Sequence, residues 1–264
     1  MASLQPIAQN PDTLVKMILI GDSGSGKTGA LASLVEAGYE LRILDFDNKI
    51  ATGYLPRVMA ERNLDFAKVD FEALRDDMKS SPMGFAPAGI PQAYMKGVKL
   101  VDKWSDGTIP KDWGPKKILV VDSLTFLSDA AFAWAKAMNP SSKDPRQWFG
   151  ASQALIEEFL AYVTGANFKT NVIIISHVTW TERPDGTMKG YPSAVGKALG
   201  PTIPAYFDNL AMMEQVGVGN TSKRVLRTTA TSLIDLKNPA AQQMMTQYPI
   251  DTGLADFFKT LKGS

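Results

Sequence analysis

The chain has 264 residues, of which 45% are hydrophobic and 21% are charged, and it contains no cysteine. A chain of this length buries enough apolar surface to fold without a disulfide or a structural metal. The absence of cysteine excludes a thiol nucleophile, a thiolate zinc site and an iron–sulfur cluster. Because 28 Lys and Arg residues balance 27 Asp and Glu residues, the net charge of +1 gives no general attraction to nucleic acid or to an anionic membrane.

Short runs rich in valine and isoleucine predict strands that are buried on both faces of a parallel sheet. In chain order, these strands are Val15–Ile20, Leu41–Leu44, Phe66–Val69, Ile118–Val121 and Val172–Ile175. Helical patterns lie between them, at Thr28–Ala37, Ala51–Arg62, Phe71–Lys79, Gln92–Trp104, Thr125–Ala137 and Ala151–Thr164. The alternation predicts right-handed crossovers and an α/β doubly wound, mostly parallel sheet with helices on both faces.

The pattern changes after about residue 208. Asn209–Glu214 and Arg224–Ala230 predict shorter, antiparallel strands that close the sheet, and Leu254–Leu261 predicts a terminal helix. Segments rich in proline, glycine and serine predict loops at Ser80–Ile90, Asp106–Lys116, Asn139–Arg146 and Thr181–Lys197. No repeat or linker is visible, so we expect one domain over residues 1–264, with a core of about 14–240 and extensions at 1–13 and 241–264.

Neither a signal peptide nor a membrane span is evident in the sequence. The longest apolar runs are far shorter than the roughly 18 residues that a span needs. Residues 1–15 are polar and lack a basic region followed by an apolar stretch. We therefore expect a cytoplasmic protein without a membrane partner.

An eight-residue segment fits the phosphate-binding pattern G-x-x-x-x-G-K-[ST] without a mismatch. Its residues are Gly21, Asp22, Ser23, Gly24, Ser25, Gly26, Lys27 and Thr28. The segment directly follows a predicted strand and directly opens a predicted helix, as the pattern requires. Glycines let successive backbone N–H groups point at phosphate oxygens, and the helix N-terminus adds partial positive charge. We expect Lys27 to reach the β- and γ-phosphates of ATP and the Thr28 hydroxyl to ligate Mg²⁺.

Polar residues also follow three other predicted strands. Because the carboxyl ends of parallel strands share one edge, Asp122 is expected beside the phosphate-binding segment, where it would support Mg²⁺. Asp47 is the candidate for orienting the attacking water, and the pattern alone leaves a helix N-cap equally open. His177, the only histidine, would hydrogen-bond the γ-phosphate or its water; its alternative is a purely structural role.

Four segments, in this order, resemble the ATPase core of RecA-type recombinases. They are the phosphate-binding segment Gly21–Thr28, Leu44–Asp47, Ile118–Ser123 and Ile173–His177. The resemblance covers roughly residues 14–240 and implies a RecA-like P-loop NTPase fold. The short chain looks like the minimal, phage-encoded RecA-core proteins that are linked to single-strand annealing and recombination. Asp47 stands where that family has Glu, which implies slow or differently positioned hydrolysis. His177 stands where the family usually has Gln, so the family's allosteric link between nucleotide and DNA is not implied for this chain.

The resemblance also implies partners. ATP would lie between subunits of a filament or ring, hydrolysis would be stimulated by single-stranded DNA, and a single-strand-binding protein is a further possible partner. Two loops, around Ala137–Phe149 and Val178–Gly200, would carry the DNA. Their basic and aromatic candidates are Lys143, Arg146, Trp148, Arg183, Lys189 and Lys197. Cations beside aromatic rings suit single-stranded nucleic acid, although composition alone favours ordinary solvated loops.

The resemblance also implies a nucleotide-contacting role for one lysine near the end of the core. In the family, a lysine from this region reaches the ATP of the neighbouring subunit, and Lys237 is the candidate here. Its alternative is an ordinary surface charge.

Two other functions remain open from the sequence. The first is a P-loop kinase for a small metabolite or nucleotide, which the single arginine of Thr181–Lys197, Arg183, argues against because such enzymes carry several lid arginines. The second is a nucleotide-gated scaffold, such as a motor or helicase accessory subunit, which the short carboxylate of Asp47 favours.

Overall fold

The computed structural model describes residues 12–82 and 84–263. The predicted N-terminal extension, residues 1–13, therefore lies outside the described residues except for Asp12 and Thr13. The strands are β1 Lys16–Ile20, β2 Glu40–Asp45, β3 Val69–Ala73, β4 Met78–Ser81, β5 Gly84–Pro87, β6 Gly114–Asp122, β7 Thr170–Ser176, β8 Val178–Glu182, β9 Met188–Pro192, β10 Asn209–Val216, β11 Lys223–Arg227 and β12 Gln247–Pro249. The α-helices are α1 Lys27–Ala30, α2 Ala32–Glu36, α3 Tyr54–Glu61, α4 Ala93–Asp102, α5 Leu124–Met138, α6 Pro145–Thr164, α7 Leu199–Thr202 and α8 Gly253–Lys262.

The described residues form one eight-stranded sheet with the order β12-β11-β10-β1-β7-β6-β2-β3. The six strands from β10 to β3 run parallel, and β11 and β12 add antiparallel strands at one side. The strand before the phosphate-binding segment, β1, is thus separated from β6 only by β7. The doubly wound, mostly parallel sheet with antiparallel C-terminal strands is confirmed.

Alternate residues of the central strands face two apolar layers, which explains why these strands read as continuous hydrophobic runs. Ile18 and Ile20 of β1 pack in the layer that includes α4, α5 and α6. Met17 and Leu19 of the same strand pack in the opposite layer, with α2, α3 and α8. Every residue of β7 is buried. In the described part of the chain, no helix is both long and apolar enough to cross a bilayer.

The region between β2 and α4 differs from its prediction. The predicted strand Phe66–Val69 is a single 3-10 turn over Phe66–Lys68, and the predicted helix Phe71–Lys79 is wrong. Residues 69–73 instead form β3, which pairs in parallel with β2 at the edge of the sheet. The helix-forming residues Glu72, Ala73 and Leu74 misled the prediction, because pairing with an available strand edge outweighs weak helix propensity.

Two segments predicted as loops contain antiparallel hairpins. Strands β4 and β5 pair with each other, and so do β8 and β9, each as a two-stranded sheet outside the main one. The orientation of β10 also corrects the prediction. It pairs antiparallel with β11 as expected, but it runs parallel to β1 and therefore continues the parallel part of the sheet.

Candidate active site

The phosphate-binding segment links β1 to α1 as a tight loop. Gly24 and Gly26 adopt φ angles of 78° and 98°, a left-handed region that side chains rarely enter. At Gly21 a Cβ atom would lie 2.3 Å from the carbonyl oxygen of Met213 and 2.7 Å from Ser25 Oγ, so a side chain there would collide with β10 and with the loop itself. Glycine is therefore required by space at one end of the loop and by backbone angle in its middle.

Lys27, the first residue of α1, turns its side chain back over this loop. Its Nζ donates hydrogen bonds to the carbonyl oxygens of Gly21 and Asp22, both at 2.8 Å. Only 7% of the residue is exposed. Burial lowers the pKa of Lys27 from its ordinary value, while the nearby carboxylates of Asp122 and Asp47 oppose that shift. Two of its three N–H donors are used, which leaves one for a ligand.

Thr28 and Asp122 meet across the gap between β1 and β6. Thr28 Oγ1 donates a hydrogen bond of 2.7 Å to Asp122 Oδ2. Burial, and secondarily the charge of Asp47, raise the pKa of Asp122 to about 7. A hydroxyl and a carboxylate in direct contact beside the phosphate-binding loop are the expected pair of Mg²⁺-supporting groups.

Asp47 lies in the loop after β2 and faces the same space. Ser123 Oγ donates to Asp47 Oδ1 at 2.7 Å, and the backbone N–H of Asp47 donates to the carbonyl oxygen of Asp122 at 3.1 Å. Asp45 instead accepts from the N–H groups of Lys49 and Ile50 in the turn that follows, and the N-cap position of α3 is occupied by Gly53. The carboxylate of Asp47 is therefore not used as a cap.

Sequence analysis did not identify the roles of Asp45 and Ser123. Asp45 is buried and fixes the turn that carries Asp47, and burial raises its pKa. Ser123 is fully buried and orients the Asp47 carboxylate. Asp45 directly follows one predicted strand and Ser123 is the second residue after another, and those positions are the sequence signal that could have found them.

His177 follows β7 at the same edge of the sheet. Its ring lies edge-on to Phe126, with ring centroids 6.3 Å apart, and its backbone N–H donates to Thr125 Oγ1 at 3.2 Å. Burial, and secondarily the charge of Lys27, lower the pKa of His177, so the neutral ring is favoured. A neutral imidazole offers one donor and one acceptor, which suits a phosphate oxygen or a water molecule.

These groups line one cavity of about 490 Å³ at the carboxyl ends of the parallel strands. Its lining brings together predicted and unpredicted residues: Ser23, Gly24, Gly26, Lys27, Thr28, Asp47, Lys49, Asp122, Phe126 and His177, with Gly29, Gly53, Tyr54 and Arg224. An adjoining cavity of about 470 Å³ lies between α3, β11 and the turn after β12. We call the first the phosphate cavity and the second the side cavity. Open α/β sheets bind ligands in a crevice of this kind.

The donor set of the phosphate cavity fits Mg²⁺ and a polyphosphate. Thr28 and Asp122 supply hard oxygen ligands, which Mg²⁺ prefers, and it usually takes only one or two protein ligands beside water and phosphate. Ser25 Oγ is buried in the loop with no hydrogen-bond partner among the described residues, which suits a loop shaped for a bound anion. The described ranges contain no cluster of three or more acidic, histidine or cysteine residues that could hold a metal by itself.

The residues predicted to contact DNA differ in their exposure. Lys189 is 4% exposed and its Nζ forms an ion pair with Asp235 Oδ1 at 2.5 Å, so its burial argues against the predicted DNA contact. Trp148 is half-buried, donates from Nε1 to the carbonyl oxygen of Asn139, and lies under the Nζ of Lys136. The remaining candidates, Lys143, Arg146, Arg183 and Lys197, are exposed.

The loops that hold these residues are shorter than predicted. Helix α6 begins at Pro145, so Arg146 and Trp148 lie in its first turn, and Asp144 caps it by accepting from the N–H of Arg146. Arg183 lies in the turn of the hairpin β8–β9.

Lys237 lies far along the sheet from the phosphate cavity of its own chain. It pairs with Leu210 at the start of β10 and lines a different cavity, at the amino ends of the strands. The structure therefore does not bring Lys237 to Lys27 or Thr28, and its contact with a neighbouring subunit stays a prediction.

A family model described as an AAA domain matches residues 13–240. No curated protein sequence is significantly similar to the chain. Together with the observed sheet order, the family match confirms the predicted P-loop NTPase fold.

Solved structures with a similar fold include three proteins. A KaiC-like protein from the hyperthermophilic archaeon Pyrococcus horikoshii is 13% identical, with a TM-score of 0.45 over 89% of this chain and 84% of that one. The RadB recombinase is 15% identical, with a TM-score of 0.46 over 81% and 79%. The flagellar accessory protein FlaH from Methanocaldococcus jannaschii is 10% identical, with a TM-score of 0.40 over 88% and 83%.

Proposed function

Because the chain belongs to the AAA domain family and contains a P-loop ATPase domain, we propose that it binds ATP with Mg²⁺ and hydrolyses the γ-phosphate bond. One observation carries this proposal. The Thr28 hydroxyl contacts the Asp122 carboxylate at 2.7 Å, in a cavity that Lys27, Asp47 and His177 also line. The motif and the groups that its chemistry needs, which come from three further strands, thus meet at one place.

Each side chain has a separate task in this proposal. Backbone N–H groups of the loop and the free donor of Lys27 bind the β- and γ-phosphates. Mg²⁺, when bound, supplies charge neutralisation to the phosphate oxygens. Asp47, held by Ser123, accepts a hydrogen bond from the attacking water and orients it. His177 donates to or accepts from the γ-phosphate edge and so reports whether that phosphate is present.

The size and position of the side cavity suit the base and the ribose. It adjoins the phosphate cavity and shares the ring of Tyr54, which is 47% exposed. A half-exposed ring of this kind offers apolar contact to a base. The triphosphate would then run from Asp47 and His177 across the loop towards Tyr54.

We further propose that the protein acts on single-stranded DNA, in recombination, annealing or repair of the phage type, as an oligomer with ATP between subunits. Hairpin β8–β9 directly follows His177, and the backbone N–H of Ser193, just after β9, donates to the carbonyl oxygen of His177 at 2.8 Å. A change at the γ-phosphate edge can therefore move both ends of the hairpin. The hairpin presents Trp180, 38% exposed, and the exposed Arg183, a stacking surface and a cation that suit single-stranded DNA.

The test is the rate of phosphate release with and without single-stranded DNA, for the native chain and Lys27→Ala. We expect Mg²⁺-dependent release by the native chain, stimulation by DNA, and loss of release in the variant. Absence of release from the native chain, together with absence of ATP binding, would contradict the ATPase. Release without DNA stimulation, and no DNA affinity that falls with rising salt, would contradict only the DNA function.

A second candidate function is a nucleotide-gated scaffold with negligible hydrolysis. It is favoured by the geometry of Asp47, since one of its carboxylate oxygens already accepts from Ser123 and the side chain is one methylene shorter than glutamate. Tight ATP binding without turnover, in the presence and absence of DNA, would support it over the leading proposal.

A further inference from the structure

One arginine stands at the junction of the two cavities. The phosphate cavity and the side cavity share only three lining residues, namely Gly29, Tyr54 and Arg224. Of these, only Arg224 carries a charge. It belongs to β11, about 200 residues after the loop that it faces, and sequence analysis assigned it no role.

The side chain of Arg224 lies directly on the phosphate-binding loop. A Cβ atom on Gly26 would come within 3.0 Å of Arg224 Cδ and 2.5 Å of Ile250 Cδ1. The two residues are also joined through the backbone, because the N–H of Ile250 donates to the carbonyl oxygen of Arg224 at 3.2 Å. The antiparallel strands at the end of the chain are thus packed against the loop through one arginine stem and one isoleucine.

The guanidinium group of Arg224 then continues over the ring of Tyr54, with its central carbon 5.7 Å from the ring centroid. Tyr54 is itself seated on a glycine, since a Cβ atom on Gly29 would lie 2.5 Å from its ring. A cation over an aromatic face is attracted to it, which holds the guanidinium at the junction. Gly26 and Gly29 therefore make room for the two side chains that flank the path between the cavities.

Nearby arginines are neutralised, whereas Arg224 is not. Arg62, in the side cavity, pairs with Glu36 and Asp251, and Arg227 on the same strand pairs with Glu214 at 2.6 Å. Among the residues that the structure describes, no carboxylate lies within ion-pair distance of Arg224. A half-buried cation with no anionic partner in the protein is free to pair with an anion that arrives with a ligand.

We propose that Arg224 binds the α-phosphate of the nucleotide. The inference rests on the proposed function, because it needs the triphosphate in the phosphate cavity and the base in the side cavity. The α-phosphate connects those two parts and therefore passes the junction. There, the guanidinium donates two parallel hydrogen bonds to non-bridging oxygens, which Arg can do and Lys cannot. The C-terminal strands thereby contribute to nucleotide affinity in the same subunit.

The experiment measures dissociation constants for Mg–ATP and Mg–ADP by calorimetry in the native chain, Arg224→Gln, Arg224→Lys and Lys223→Ala. Lys223→Ala is the matched control, because it removes a cation from the adjacent, exposed position, which lines neither cavity. Urea unfolding of each variant checks that β11 remains folded.

We expect Arg224→Gln to weaken ATP and ADP binding by about the same factor, roughly tenfold, because both ligands carry the α-phosphate. Arg224→Lys should recover part of that loss, because it keeps the positive charge, and Lys223→Ala should bind both nucleotides as the native chain does.

Four results would overturn the assignment: unchanged affinity in Arg224→Gln, loss for ATP but not ADP, no recovery by lysine, or an equal loss in Lys223→Ala. If the native chain bound neither nucleotide, the proposed function itself would fail.

Discussion

Two lysines at opposite ends of the parallel sheet turn their ammonium groups towards the protein, and they do so in different ways. Lys27, at the carboxyl end, donates to two loop carbonyl groups and faces the carboxylates of Asp122 and Asp47 across an open cavity. Lys16, at the amino end, donates to the carbonyl oxygens of Val163, Phe168 and Thr170 at 3.0, 2.7 and 2.6 Å.

The two lysines differ in the number of N–H donors that remain free for a ligand. Lys16 uses all three N–H donors on backbone and lies 4.6 Å from the Phe168 ring centroid, so it ties the end of α6 to the start of β7. The side chain of the neighbouring Asn171 likewise forms hydrogen bonds with backbone groups of Val15 and Pro115. At the carboxyl end, polar side chains instead contact one another and face the cavity. Free hydrogen-bonding capacity, rather than burial of charge, therefore distinguishes the carboxyl end of this sheet from the amino end.

The largest expected effect concerns Asp47, to which the proposed function gives the task of orienting the attacking water. Asp47→Asn keeps the hydrogen bond from Ser123 but removes the negative charge that attracts the water proton. We expect turnover to fall about 1000-fold, with ATP affinity nearly unchanged. Phosphate release and calorimetry measure the two quantities. Asp47→Glu is the matched control, since it keeps the charge and should retain turnover; equal turnover in Asp47→Asn and the native chain would exclude Asp47 from the reaction.

The second effect tests Lys27 as the ligand-binding lysine. Lys27→Ala should weaken Mg–ATP binding about 100-fold, because a buried cation opposite the phosphates is lost. The fold should persist, as the two carbonyl acceptors, on Gly21 and Asp22, lie in a loop next to a cavity that water can enter. Calorimetry and urea unfolding check both statements. A variant that is strongly destabilised but, while folded, binds ATP as the native chain does would reverse the roles given to the two lysines.

The third effect tests Lys16 as a structural lysine at the amino end of the sheet. Lys16→Met should lower the free energy of unfolding by about 2 kcal/mol, because three carbonyl groups lose their shared donor. ATP affinity should not change, since Lys16 lies at the far end of β1 from the loop. The readouts are urea unfolding and calorimetry on the same preparation. Loss of ATP affinity at unchanged stability would contradict the comparison.

A fourth effect concerns pH. Burial, and secondarily Lys169, lower the pKa of Lys16 from 10.5 to about 7. The unfolded chain keeps this proton up to about pH 10.5, so between these values the unfolded state binds more protons and the free energy of unfolding contributed by Lys16 rises with pH. The difference between the native chain and Lys16→Met should therefore shift in favour of the native chain from about pH 6.5 to about 9.5. A difference independent of pH would show that Lys16 stays charged when folded.

The carboxyl end of the sheet could be predicted because its geometry follows from local rules. A phosphate-binding segment fixes where Lys27 and Thr28 lie, and parallel strands carry the residues after their ends, Asp47, Asp122 and His177, to one edge. These inferences need only the spacing within the motif and the position of each strand end.

Other contacts depend on pairings between distant segments. Arg224 reaches the loop only because β11 follows β10, which itself lies beside β1. The partner of Lys189, Asp235, is 46 residues away, and nothing in the hairpin sequence distinguishes this lysine from an exposed one. In the same way, β3 formed where helix propensity predicted otherwise, since the edge of β2 was available.

The smallest expected effect applies the same comparison to the hairpin β8–β9 and the segment after it, where one lysine has an ion-pair partner and another is exposed. Lys197 is exposed and Lys189 is paired with Asp235. If the protein binds single-stranded DNA there, Lys197→Ala should weaken affinity about threefold and reduce the slope of log affinity against log salt by about 0.7, the value for one phosphate contact. Lys189→Ala should leave that slope unchanged and instead lower the unfolding midpoint, because Asp235 loses its partner. Fluorescence anisotropy of a labelled oligonucleotide over a salt series separates the two, and a slope change in Lys189→Ala alone would show that the ion pair opens to bind DNA.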